Sequence, residues 1–283
     1  MINFIEFIDQ FSDFIEKLYG KVIVIKYGGA AMKDEILKMK VIENVLLLNR
    51  LGIKVVLIHG GGPMINDWLN KLNIQPKFQD GIRVTDYNTM EIVEMVLVGK
   101  VNKDLVALFN RERGQGIAVG LSGKDSNLII SSKLFKNSES LVGKVEKVDI
   151  SVLNLLLNSG YIPIIASVAS DTNGVTHNIN ADTAAGYIAQ ALNADKLVLL
   201  TDTPGIMLDI ENLDTLQKFL SVKQVEELCS KKIIYGGMIP KVDCCIQALK
   251  NNVLSTHIID GRISNALVME LLTNDRVGSQ ITL

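Results

Sequence analysis

The sequence predicts an α/β sandwich around a mainly parallel sheet, on three observations. Short runs of β-branched and aliphatic residues alternate with longer stretches of helical periodicity. Several of the short runs are almost unbroken aliphatics, as strands buried on both faces require. Apolar runs also end repeatedly in glycine pairs that lead straight into helical patterns.

Taken in order, the elements begin with an amphipathic helix. Phe4, Ile8, Phe11, Ile15 and Leu18 recur at heptad-like spacing, and Phe7 and Phe14 widen the stripe. Glu6, Asp9, Ser12, Asp13 and Glu16 take the other side. Such a face must be buried, either on its own domain or on a helix of another subunit. Strands are predicted over 22–26, 54–58, 161–167, 196–201 and 254–259, and helices over 86–110, 181–192 and 238–250. Over 115–149 the runs are short and broken by Gly, Asp and Asn, which predicts hairpins on one side.

The composition excludes several classes. In 283 residues, 29 Lys and Arg face 31 Asp and Glu, so a nucleic-acid partner is not expected. Three cysteines, two of them adjacent (Cys244, Cys245), make neither a metal spacing nor a disulfide framework, which fits free thiols in a reducing compartment. No apolar run is long enough to span a bilayer, and the N-terminus reads as neither a secretory signal nor a transit peptide, so no membrane partner is expected. The expectation is a soluble protein of the cytoplasm or of an organelle's interior.

Two strand ends carry the first chemical signal. The runs VIVIKYGGAAM and KVVLIHGGGP each stop at glycines (Gly28 and Gly29; Gly60, Gly61 and Gly62) and turn into a helix. In a parallel sheet both turns lie at the carboxyl edge, where ligands bind, and backbone N–H groups at a helix start suit an anion. One such turn would be no more than tight turning; two of them, one preceded by Lys26, read as a cradle for a phosphoryl group. Lys26 is either a snorkelling sheet-edge lysine or a charge aimed at what the glycines hold.

Other stretches extend the pattern. In THNINADTAA, Asn178, Asn180 and Asp182 alternate ahead of an alanine-rich helix, which combines capping with a polar surface facing a ligand. LLTDTPGIM ends a strand in Thr201 and Asp202 and turns at Pro204 and Gly205. YGGMIPKV opens a helix with Lys241 in its first turns, where a cation is electrostatically misplaced unless it serves a bound polyphosphate. DGIRVTD offers Arg83, which either pairs a carboxylate bidentately or is solvated. His59, His177 and His257 are too scattered for a metal, and no serine-hydrolase arrangement appears.

The set KYGGAAM, HGGGP, DGIRVTD, HNINADTAA, LLTDTPGI and GGMIPKV resembles the amino-acid kinase superfamily and, within it, the N-acetyl-L-glutamate kinases, over 20–283. MEIVEMVLVGKVNKDLV resembles the cyanobacterial and plastid branch. The resemblance implies a three-layer α/β/α sandwich in two lobes sharing one sheet. A helix over 1–19 would serve oligomerisation, 20–175 would bind N-acetyl-L-glutamate, and 176–283 would bind ATP with Mg2+, the metal carried by ATP rather than by protein ligands. It implies transfer of the γ-phosphoryl group to the side-chain carboxylate in arginine biosynthesis. Lys26 and Lys241 would stabilise the transition state, with Asp182 holding both. Gly28, Gly29 and Gly60 would cradle the phosphoryl group, and Gly61, Gly62, Arg83 and Asn178 would contact the substrate. Thr201, Asp202, Gly205, Ile206, Met207, Tyr235 and Gly237 would line the nucleotide.

The resemblance further implies a homo-hexamer, a trimer of dimers interlaced by the N-terminal helix and inhibited by arginine. Tyr19, His257, Glu270 and Gly278 would form the effector site. For this branch it also implies complex formation with the PII signalling protein, for which no motif stands in the sequence, and a place in the plastid stroma if the chain is plastid-encoded. The rival expectations are a kinase acting on carbamate, aspartate, glutamate or uridylate, and a non-catalytic arginine-sensing subunit.

Overall fold

The computed structural model describes residues 4–79, 82–135 and 139–283, with the side chains of 4–10, 30, 79 and 82 outside that description. The predicted apolar contacts of Phe4, Phe7 and Ile8, and the Asp80–Gly81 start of DGIRVTD, therefore lie outside the described residues.

α1 (Phe4–Leu18) precedes β1 (Val22–Tyr27). The carboxylate of Asp34 accepts the N–H groups of Ile36 and Leu37 at 2.9 and 3.0 Å and so starts α2 (Glu35–Arg50). α2 returns the chain to β2 (Lys54–His59) beside β1, and α3 (Gly62–Lys71) follows with Pro63 in its first turn. A small antiparallel ribbon of β3 (Phe78–Gln79) and β4 (Ile82–Arg83) leads to α4 (Tyr87–Glu94). The helix expected over 86–110 is present but not uniform. α4 runs into a π-helical segment, Met95–Asn102, before α5 (Lys103–Arg113), and Gly114, at φ +74°, ends it.

Next come β5 (Ala118–Ser122), β6 (Ile129–Lys133), β7 (Val142–Val148), α6 (Ser151–Asn158), β8 (Ile162–Ala166), β9 (Val168–Ser170) and β10 (Thr176–Ile179). The last part runs α7 (Ala181–Ala191), β11 (Lys196–Thr201), β12 (Phe219–Ser221), α8 (Val222–Ser230), α9 (Ile239–Lys250), β13 (Ser255–Asp260), α10 (Ala266–Leu272) and β14 (Ser279–Thr282). The large sheet has the order β12-β14-β13-β11-β1-β2-β8-β5, and only the β13–β14 pairing is antiparallel. β6, β7, β9 and β10 close into a small barrel beside it. The hairpin expectation over 115–149 holds for β6–β7 but not for β5, which is an edge strand of the large sheet, parallel to β8. Gly120 breaks the apolar run of β5 and hides it as a strand.

Alternating residues of the central strands feed two cores. Ile23, Ile25, Val55, Leu57 and Val198 face α2, α3, α5 and α10, whereas Val24, Val56, Ile58, Leu197 and Leu199 face α6, α7, α8 and α9. Three layers result. α1 packs against α10, and its Phe11, Phe14 and Leu18 join the first core, so this end of the helix is buried on its own chain.

Gly143 of β7 is a steric requirement of the small barrel. A Cβ there would lie 2.6 Å from His177 Cβ and 2.7 Å from Ile179 Cδ1. Gly143→Ala is expected to lower stability by about 1–3 kcal/mol through overpacking. A urea midpoint equal to that of the parent chain would show that the barrel has room to relax.

Candidate active site

The glycine turns after β1 and β2 and the turn after β11 sit side by side, because β1 lies between β2 and β11 in the sheet. In the first turn the Tyr27 hydroxyl donates to the Ala31 carbonyl at 2.9 Å, and Gly29 takes φ +76°, the left-handed region that glycine tolerates best. In the second turn Gly61 is the steric requirement. A Cβ on Gly60 would touch the Cβ of Ala181 at 3.5 Å, and one on Gly61 would lie 2.4 Å from Leu97 Cδ2. At Gly62 a Cβ would meet nothing within 4 Å among the described residues, so that face is open.

Between the turns stands the charged centre. Asp182, in the first turn of α7, pairs with Lys26 at 2.9 Å through Oδ1 and with Lys241 at 2.8 Å through Oδ2. Asn180 is the cap of α7, accepting the N–H groups of Asp182 and Thr183 at 2.9 and 3.1 Å. The alternating Asn and Asp residues therefore divide the work, one capping and one facing the lysines. α9 reaches α7 closely because α7 presents small residues: a Cβ on Gly186 would lie 2.7 Å from Cys244 Sγ. That thiol donates to the Asp182 carbonyl at 3.0 Å. Burial by itself raises the Asp182 pKa, but Lys26 and Lys241 outweigh it and hold the carboxyl below the usual range. Within this trio two ammonium groups share one carboxylate, which leaves one positive charge in excess, suited to an anion.

All seven residues expected at the nucleotide line one cavity of about 290 Å³, and Lys241 lines it too. Thr201, Asp202, Gly205, Ile206 and Met207 form one side, Tyr235 and Gly237 the other. Leu208 and Ile210, also on the wall, escape motif reading because they are ordinary aliphatics in a loop. Ser279 of β14 is another residue that sequence reasoning missed. Its hydroxyl accepts the Ile206 N–H at 2.8 Å and fixes the turn from the far end of the chain.

Arg83 is buried, not solvated. Its Nη2 donates to Asn66 Oδ1 at 2.6 Å and to the Gly62 carbonyl at 3.3 Å, and its guanidinium stacks on Phe78. Nη1 has no hydrogen-bond partner among the described residues. Thr85 links Arg83 to Asn178: its hydroxyl donates to the Arg83 carbonyl at 3.0 Å and accepts from Asn178 Nδ2 at 3.2 Å. The Arg83, Gly62 and Asn178 expected to act together are thus joined in one network. Thr85 belongs to DGIRVTD, with no role predicted for it there, and Asn66 lies outside every quoted motif.

His257, Glu270 and Gly278 also come together. The fully buried Glu270 carboxylate accepts from His257 Nδ1 at 2.8 Å and from the N–H groups of Val277 and Gly278 at 3.1 and 3.2 Å. Arg276 joins them, its guanidinium donating to the Glu270 carbonyl and lying 3.5 Å from Oε1. Tyr19 stands apart: it is exposed, and its ring lies over Gly52. Among the described residues no group of three or more His, Cys, Asp or Glu side chains gathers as a metal centre would require.

His59 and His257 are both fully buried, and burial depresses each pKa to about 4. Both stay neutral in the fold, while in the unfolded chain each takes a proton near pH 6.5. As the pH falls from about 6.5 to about 4, the unfolded state binds more protons and stability is lost, by about 3 kcal/mol per histidine. Above that window the contribution is fully present. Urea midpoints should therefore fall steadily between pH 7 and pH 4.5, and a flat profile would show that these rings titrate normally.

The comparisons with known proteins agree with this geometry. The amino acid kinase family matches residues 21–260. An acetylglutamate kinase of Gracilaria tenuistipitata var. liui is 58% identical over 287 residues, covering 100% of both chains. That of Porphyra purpurea is 53% identical over 94% of each chain, and that of Synechocystis sp. is 51% identical over 95% of this chain and 90% of its own. Among solved structures, N-acetylglutamate synthase from Neisseria gonorrhoeae superposes with a TM-score of 0.86 at 23% identity, and this chain spans 64% of that protein's length. Carbamate kinase from Giardia lamblia superposes with a TM-score of 0.67 at 17% identity, covering 93% of this chain and 98% of its own. Matched by the family over most of its length, and by acetylglutamate kinases from end to end, the chain belongs to the amino acid kinase family, in its acetylglutamate kinase branch.

Proposed function

We propose that the chain transfers the γ-phosphoryl group of ATP to the side-chain carboxylate of N-acetyl-L-glutamate, giving N-acetyl-L-glutamyl 5-phosphate in arginine biosynthesis. The observation that carries this reading is the Lys26–Asp182–Lys241 centre set between two glycine turns and beside a cavity of about 290 Å³. The full-length relatives named acetylglutamate kinase support the choice of acceptor.

A carboxylate is already ionised at neutral pH and needs no general base. The barrier comes from crowding negative charge among attacker, phosphoryl group and leaving group, so catalysis is electrostatic and positional. On this proposal Lys26 and Lys241 receive the charge that spreads over the phosphoryl oxygens, and Asp182 keeps both ammonium groups in place. Residues 20–175 hold the acceptor and 176–283 the nucleotide, which brings its own Mg2+ to neutralise phosphate charge. The unpartnered Nη1 of Arg83 would take the acceptor's α-carboxylate, Asn178 its amide region, and Gly61 and Gly62 its side chain. Gly28, Gly29 and Gly60 would cradle the phosphoryl group.

A coupled assay of ATP turnover with N-acetylglutamate, glutamate and carbamate tests this directly. Turnover is expected with N-acetylglutamate alone. Lys26→Ala and Lys241→Ala should each lower kcat by roughly 10²–10³, with smaller changes in KM. Turnover with another acceptor would reassign the substrate. Near-normal kcat in a variant would remove that lysine from the chemistry, and no turnover at all would favour a sensing subunit.

We further infer arginine inhibition of a hexamer, a trimer of dimers, with α1 as the interlacing element. α1 is amphipathic and packs on α10, the helix that carries Glu270. Glu270, His257 and Gly278 would take the effector's guanidinium, and Tyr19 would close from the junction of α1 and β1. Arg276 already sets a guanidinium beside the buried Glu270 carboxylate, so the effector would have to displace it. Arginine would favour an arrangement too open for transfer, a differential-affinity effect. Binding of a PII protein, and residence in the cytoplasm or plastid stroma, belong to the same reading. Deleting residues 1–19 should give a dimer by sedimentation that keeps catalysis and loses arginine inhibition. A surviving hexamer, or unchanged inhibition, would overturn it.

A further inference from the structure

His59, the last residue of β2, is wholly buried behind the second glycine turn, and the reaction scheme above leaves it no role. Its Nδ1 lies 2.9 Å from the Gly60 carbonyl and its Nε2 3.1 Å from Asn102 Nδ2. The tautomer follows from the neighbours. Asn102 Nδ2 also lies 2.8 Å from the Ile164 carbonyl and 3.2 Å from the Leu121 carbonyl, so this atom is a donor. His59 Nε2 must then accept, and the ring carries its proton on Nδ1 and donates it to Gly60.

Asn102 reaches this place because it ends the π-helical segment Met95–Asn102. The sheet makes room for it: a Cβ on Gly120 of β5 would lie 2.1 Å from Asn102 Oδ1. The same segment supplies Leu97 and Val101, which would lie 2.4 and 3.6 Å from a Cβ on Gly61. One face of the π-helical segment thus packs against the glycine turn, and its last residue holds the histidine that grips that turn.

We propose that His59 and Asn102 are positioning residues for phosphoryl transfer, holding the Gly60–Gly61 peptide so that the Gly61 N–H faces the acceptor. In a trans peptide the C=O and the following N–H point in opposite directions, so gripping the Gly60 carbonyl aims the Gly61 N–H the other way. The inference rests on reading the turn as the acceptor's seat.

Two measurements test it. In the unmodified ¹⁵N-labelled protein, long-range ¹H–¹⁵N spectra should show His59 as the Nδ1–H tautomer, unchanged from pH 8 to pH 5.5. The Nε2–H tautomer would overturn the proposal. In steady-state kinetics, His59→Leu should raise KM for the acceptor by about tenfold and leave KM for ATP unmoved. His59→Gln, whose amide can both donate and accept, should recover most of that loss. Asn102→Ser carries the same test, with a smaller rise in acceptor KM, if the leucine variant does not fold. A fall in kcat that merely tracks the folded fraction by circular dichroism, with both KM values unchanged, would make the pair structural only. The kinetics use whichever acceptor the parent chain phosphorylates, so a wrong substrate assignment shows in the parent, whereas a wrong role for His59 shows only in the variants.

Discussion

The contact on which the site depends is one buried carboxylate shared by two ammonium groups from distant parts of the chain. Lys26 is the last residue but one of β1, Lys241 lies in the first turn of α9, and Asp182 stands between them at the start of α7. Without Asp182 the two cations would repel each other in a place too dry to screen them. Without either lysine, the carboxylate would be a buried charge with half its compensation. The three are therefore held as a unit, and the unit is one positive charge in excess. On the proposed function an incoming phosphoryl group would meet a field fixed by the fold and need not reorganise it.

Much of the packing serves to keep those three residues within reach. α7 is built from Ala184, Ala185, Gly186 and Ala189 on its buried side, which lets it lie close to both the sheet and α9. Ala181 meets Gly60, so the helix start that carries Asp182 is also the wall of the second glycine turn. The central strands alternate between two cores, which fixes their register: a slip of one residue would turn Lys26 away from Asp182. Stability and site geometry are here the same constraint, expressed through small residues at helix–sheet contacts.

What could be read in the sequence, and what could not, divides along physical lines. The parallel strands were legible because burial on both faces demands unbroken aliphatics, and the glycine turns because glycines recur where an apolar run gives way to a helical pattern. Lys241 was legible as an electrostatic conflict at a helix start. β5 was not, because Gly120 interrupts its pattern for the sake of Asn102, a residue far away in sequence. The π-helical segment was not, since its composition is that of an ordinary helix and only tertiary contacts distinguish it. Asn66 and Ser279 act by holding other residues, a role that leaves no local signature, and Thr85 stands in DGIRVTD with nothing local to mark its part as a link between Arg83 and Asn178. Arg276 was passed over for the same reason: its partner, Glu270, is visible as a carboxylate, but only the fold brings a guanidinium to it.

The solved relatives show how little of the acceptor's identity resides in the fold. An N-acetylglutamate synthase, of which this chain spans 64%, and a carbamate kinase share this architecture at 23% and 17% identity, so the architecture alone does not name the acceptor. The Lys26–Asp182–Lys241 centre responds to charge and is indifferent to what carries the carboxylate. Discrimination must therefore come from groups that see the rest of the acceptor. On the proposed function those would be the buried Arg83, whose Nη1 has no hydrogen-bond partner among the described residues, and the Asn66, Thr85 and Asn178 that fix its direction. Arg83 lies in β4, a two-residue strand of a small ribbon outside the large sheet, and is tied back to Gly62 at the start of α3. Specificity placed there would be free to change with the ribbon while the charged centre stays fixed in the core.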